Sequence, residues 1–112
     1  MTRYTLHVPE MLNDGTPVAP QRLRDIEEWL LAVFEGFTQT VARGAWRSDE
    51  QEYIEPIRLY LIDTDDSPST SRILQKLAGD IAQELGQEAV YLTRQEIETF
   101  LVTPAREKEN AS

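Results

Sequence analysis

The chain has no cysteine and a single histidine, His7. Disulfides, thiolate metal sites and cysteine nucleophiles are therefore excluded, as is any zinc site built from several histidines. Basic residues are also scarce, with 11 against 20 acidic, giving a net charge of −9. Such a surface repels nucleic acid and anionic membranes, and the scattered Lys and Arg form no stacking platform for RNA. Long apolar runs are missing too. The longest, Trp29 to Phe34, is far too short for a secretory signal core or a membrane span. The sequence is thus expected to be soluble and cytoplasmic, with neither nucleic acid nor membrane as a partner.

At 112 residues there is room for one compact domain, with an expected radius of gyration of roughly 13 Å. That size supports one core but no deep, enclosed active site in a monomer. The domain is expected over residues 1–102. The charged, small residues 103–112, TPAREKENAS, read as a flexible tail.

Tyr4, Leu6 and Val8 alternate with Arg3, Thr5 and His7, the period of a strand with one buried face. Pro9 to Pro20 holds Asn13-Asp14-Gly15 and reads as a loop. Leu23, Ile26, Leu30, Val33 and Phe34 then share one face of a helix that begins at Pro20 and closes at Gly36. Phe37–Trp46 and Tyr53–Asp63 read as a hairpin of two strands around a polar turn. Ser67 and Pro68 open a second helix, striped by Leu74, Leu77, Ile81 and Leu85 and ended by Gly86. Ala89–Leu92 is a short fourth strand. Thr93 and Glu96 have capping-box spacing, which predicts a third helix over 94–101.

This order is α+β and ferredoxin-like, βαββαβ, with a four-stranded antiparallel sheet, two covering helices and a short C-terminal helix. Right-handed crossovers put the first and third strands in the centre. The helices are expected to cover Tyr4, Leu6, Val8, Ile57, Leu59 and Leu61. His7, Arg58, Tyr60 and Ile62 would then lie on the uncovered face and form an oligomer interface, in a dimer or a trimer.

Few residues suggest chemistry. Trp46 and Arg47 combine a flat ring with a guanidinium fork suited to a planar anion. Glu55 and Glu88 are carboxylates that could join them in a ligand site. No pair of acids with opposed environments, nucleophile elbow, phosphate loop or metal-binding pattern is evident, so no catalytic residue, metal or cofactor is assigned. Asp63, Asp65 and Asp66 lack the spacing of a calcium loop and read as capping and solvated residues.

The motifs Phe34-Glu35-Gly36-Phe37-Thr38, Gly44-Ala45-Trp46-Arg47, Glu55 and Gly86-Gln87-Glu88-Ala89-Val90 resemble the bacterial family called domain of unknown function 3574. The resemblance runs from about Tyr4 to Leu92. It implies a ferredoxin-like fold and no established reaction, and so brings no catalytic residue with it. Looser is the similarity to PII signalling proteins, which implies trimers binding nucleotides between subunits. The favoured expectation is a non-enzymatic homo-oligomeric module acting through protein contacts or a small ligand. The alternatives are a cofactor-free enzyme of the dimeric α+β barrel type and a PII-like nucleotide-binding regulator.

Overall fold

A computed structural model describes residues 1–105. The expected tail lies outside the described residues from 106 onward. Six elements follow one another: β1 (Thr2–Pro9), α1 (Pro20–Phe34), β2 (Thr38–Ser48), β3 (Gln51–Thr64), α2 (Pro68–Glu84) and β4 (Leu92–Glu96). The strands form one sheet in the order β2-β3-β1-β4, and every pairing is antiparallel. This is the ferredoxin-like βαββαβ arrangement with two helices. No helix among the described residues is long and apolar enough to cross a membrane.

Local chemistry explains the helix ends. The Ser67 hydroxyl accepts from the Thr70 N–H at 3.1 Å and Pro68 takes the first helical position, which together start α2. Gly86, at φ 65°, turns the chain out of it. The left-handed residue ending α1 is Glu35 (φ 66°), one position before the expected Gly36, and its N–H reaches the Leu31 carbonyl at 3.0 Å. Between β2 and β3 the turn is only two residues, Asp49 and Glu50, both at positive φ. That geometry matches the right-handed twist of the paired strands.

The expected C-terminal helix is absent from residues 97–105, and the fourth strand begins where the expected one ended. Thr93 to Glu96 pair with Thr5 to Thr2 of β1, and the Ile97 N–H extends this contact to the Met1 carbonyl at 3.0 Å. A capping box satisfies two amide donors, whereas the ladder on β1 satisfies the whole stretch. The sheet therefore wins.

The two faces of β3 are the reverse of the expectation. Leu6 lies opposite Tyr60, Tyr4 opposite Ile62 and Val8 opposite Arg58. Directly opposed residues of an antiparallel pair share a face. Tyr60 and Ile62 are accordingly fully buried beneath the helices, and Arg58 lies on that same face. Ile57, Leu59 and Leu61 are half-buried on the uncovered face. The core joins Tyr4, Leu6, Val8, Tyr60 and Ile62 to Leu23, Ile26 and Leu30 of α1 and Leu74, Ala78 and Ile81 of α2.

The last pair between β1 and β3 is Pro9 with Ile57. Beyond it β2 and β3 continue alone for six pairs, from Arg43↔Pro56 to Ser48↔Gln51. This makes an arm about 20 Å long. The Pro56 carbonyl accepts from the Glu10 N–H at 3.2 Å, so its missing amide donor faces the side where the β1 ladder has ended. With the arm, the described chain measures 67 × 29 × 28 Å and its radius of gyration is 17.7 Å, well above the value expected for a compact domain.

Burial predicts sharply different stability effects. Leu30→Ala removes a fully buried side chain and should lower the unfolding free energy by about 2–5 kcal/mol. Trp46 is 47% exposed on the arm, and Trp46→Ala should cost less than about 1 kcal/mol. Urea denaturation of both variants against wild type checks this. A loss at Trp46 as large as that at Leu30 would show that the arm packs on something.

Candidate functional site

The four expected ligand residues do not converge. Trp46, Arg47 and Glu55 belong to the arm, whereas Glu88 follows α2. Trp46 stacks on Tyr53 across the hairpin, with centroids 5.6 Å apart and planes 14° from parallel. Arg47 donates to Glu52 at 2.7 Å in an exposed ion pair. Glu55 faces Gly44 in the ladder. This is a solvent-facing surface, and the hollow beside the stack is only about 290 Å³.

Glu88 instead lines a groove of about 760 Å³ between α2 and β4. Small residues make it. Ala78, Gly79 and Ala82 give α2 a low surface there, and a methyl group at Gly79 would meet no atom within 4 Å. Tyr4 reaches the groove from β1, Arg94 from β4, and Gln75 and Gln83 from α2. The loop carrying Glu88 is tied down at its start: Asn13 donates to the Gly86 carbonyl at 2.9 Å and accepts from Gln87 at 3.0 Å.

Tyr4 is the unusual member. It is 1% exposed, and among the described residues its hydroxyl has no hydrogen-bond partner. An unpaired buried hydroxyl costs about 1–3 kcal/mol. The Arg94 guanidinium lies close enough for the Tyr4 oxygen to be the first cause of its raised pKa, with Asp66 next. Their geometry nevertheless falls short of a hydrogen bond. Arg94 also donates to Asp66 at 3.3 Å. The groove thus holds an unused donor beside a cation, amides on its helical wall and a carboxylate in its loop. The sequence reading missed both: Tyr4 looks like an ordinary strand residue, and Arg94 falls in the expected C-terminal helix until β4 is placed beside β1.

A second cluster lies under α1. The Tyr60 hydroxyl donates to Glu27 at 2.6 Å, and Arg58 donates to Glu10 at 2.9 Å and to Glu27 at 3.3 Å. Burial, and then the bond to Glu27, push the Tyr60 pKa far above the ordinary phenol range, so it remains a protonated donor. Burial acts to lower the Arg58 pKa, but the bond to Glu10 and the nearby Tyr60 oxygen outweigh that and raise it. Arg58 and Tyr60 were expected to meet a second copy. Here they are spent on pinning α1 and the β1–α1 loop to β3. The adjoining cleft is about 310 Å³. Among the described residues no three His, Asp or Glu side chains converge into a metal-binding set.

His7 does lie on the uncovered face, edge-on to Tyr91 at 5.0 Å between centroids. Burial lowers its pKa from the ordinary 6.5.

No family model matches the chain, and no curated protein matches it. Among solved structures it is similar to a phage SAM lyase in complex with S-methyl-5′-thioadenosine. The TM-score is 0.63 at 15% identity, over 85% of this chain and 80% of the other. This finding overturns the expectation that the chain is more a non-enzymatic module than an enzyme. That expectation leaned on the absence of a catalytic pair or motif in the sequence, and the fold, over most of both chains, is shared with a lyase.

A pH dependence follows from His7. Its folded pKa lies below the unfolded one, so the unfolded chain takes up the proton first. The stability contributed by neutral His7 is full above about pH 6.5 and falls as the pH drops toward the folded value. His7→Gln should therefore flatten the loss of stability between about pH 7.5 and 5.5, read from urea midpoints. Equal slopes in variant and wild type would refute the assignment.

Proposed function

We propose that this chain is a cofactor-free enzyme that breaks a carbon–sulfur bond in an adenosyl sulfonium of the S-adenosylmethionine type, bound in the groove between α2 and β4. The observation that carries this reading is the similarity of fold to the SAM lyase holding S-methyl-5′-thioadenosine. The groove adds chemistry that suits such a molecule. At about 760 Å³ it has room for a nucleoside with an amino-acid arm. Arg94 and the unused Tyr4 hydroxyl suit a substrate carboxylate. The Glu88 carboxylate suits a positive ammonium or sulfonium, and the amides of Gln75 and Gln83 suit the edge of a purine.

A sulfonium carries its own leaving group, so the protein has mainly to position it. The bond from sulfur to the amino-acid carbon breaks, both electrons go to sulfur, and a neutral thioether leaves. The carbon completes its valence through the substrate's own carboxylate oxygen or by loss of a neighbouring proton. The two products are isomers of equal mass, so their proton NMR spectrum, a ring O–CH2 or a vinyl group, tells which. Half-buried Ile57, Leu59 and Leu61 on the uncovered face support self-association as part of the same reading.

Incubation with S-adenosylmethionine, followed by chromatography, should show S-methyl-5′-thioadenosine forming well above the uncatalysed rate. Arg94→Ala should raise KM roughly tenfold or more, since a hydrogen bond to a charged group is worth about 1.5–3 kcal/mol. Tyr4→Phe should lose turnover yet keep or gain stability, because it removes a hydroxyl that has no partner among the described residues. No product above background at millimolar substrate would defeat the reading.

A further inference from the structure

We infer that the segment Ile97–Val102 is an assembly arm that docks on the β2–β3 hairpin of a second copy of this chain. Two apolar surfaces of one molecule point to it, and it draws on nothing in the enzyme reading. Phe100, Leu101 and Val102 are 73%, 99% and 87% exposed, and residues 97–102 run on from β4 without regular structure. Together they expose on the order of 450 Å² of apolar surface, the size of patch that marks a protein contact. At the other end of the molecule, one face of the arm carries Ala45 beside Ile54, which is 59% exposed, with Val41 at its base, 55% exposed.

The two surfaces cannot meet within one chain. β4 runs antiparallel to β1, so the segment leaves the sheet beside Thr2. The hairpin leaves it beyond Pro9. From Thr64, opposite Thr2, to Ile54 is ten residues along β3, about 33 Å. Six extended residues after Glu96 span about 20 Å at most. Two copies lying antiparallel bring each segment onto the other's hairpin, so the contact is made twice and closes. Counting both sides of both contacts, the buried area reaches the order of 1,600 Å², that of a standard stable interface.

Charge and backbone fit the same pairing. β2 is an edge strand whose outer backbone groups are free to accept an added strand. Arg43 lies between Val41 and Ala45 on the receiving face, and among the described residues it makes no salt bridge. Glu98 precedes Phe100 by two residues, which puts both on one side of an extended segment. Glu98 also makes no salt bridge among the described residues.

Light scattering of the full chain at about 100 μM should give at least twice 12.9 kDa. Phe100→Asp with Leu101→Asp should return it to the monomer mass, with a thermal midpoint that matches wild type diluted until it too is monomeric. Arg43→Glu should raise the dissociation constant about tenfold or more, and adding Glu98→Arg should restore it. A monomeric wild type, an assembly indifferent to the Phe100/Leu101 variant, or a charge reversal that Glu98→Arg does not rescue would each overturn the inference.

Discussion

The register between β1 and β3 is the constraint on which the remaining features depend. Pairing Leu6 with Tyr60 puts every second residue of both strands beneath the helices. From that one alignment Tyr60 meets Glu27, Arg58 meets Glu10 and Glu27, and Ile57, Leu59 and Leu61 are left on the uncovered face. A slip of one residue would reverse all of these at once. The short 2.6 Å bond from Tyr60 to Glu27 guards against it, since a displaced register would strand a half-buried carboxylate without its donor.

This constraint also marks where the sequence stopped being legible. Element order, central strands, the Ser67 cap and the buried face of β1 can all be read from periodicity and turn residues. The phase of β3 cannot, because Ile57, Leu59 and Leu61 look as buriable as Tyr60 and Ile62. Only pairing with β1 separates them. The C-terminal helix failed for a related reason. Thr93 and Glu96 satisfy a local rule, but a free edge of β1 offered the same residues a larger set of hydrogen bonds. Of the expected ligand residues only Glu88 lines the groove, while its other charged member, Arg94, was hidden in that misread helix.

The groove shows how a chain of this size can carry a sizeable cleft without an enclosed cavity. A cleft can form at a seam between layers where one layer is locally thin. Ala78, Gly79 and Ala82 thin α2 opposite β4, and the hollow extends inward until it meets the Tyr4 hydroxyl. A fold selected for stability alone would place phenylalanine at position 4 and keep the same packing. Retaining a polar atom there, beside a guanidinium, is a cost that binding can offset.

The elongated shape has its own local cause. β1 has only eight residues and its last, Pro9, is followed at once by the loop into α1, whereas β2 and β3 have eleven and fourteen. The mismatch forces a hairpin with no third strand beside it. An isolated two-stranded ribbon is marginal in water. This one is braced by the Trp46–Tyr53 stack and the Arg47–Glu52 pair, and it closes through a turn with both residues at positive φ. Aspartate and glutamate adopt that turn less readily than Asn-Gly would, so the turn adds little stability of its own. The bracing has to come from the strands' side chains, and much of their apolar surface still faces solvent. A ribbon held out in this way, with apolar residues on both of its faces, has more to gain from a partner than from folding back on its own sheet.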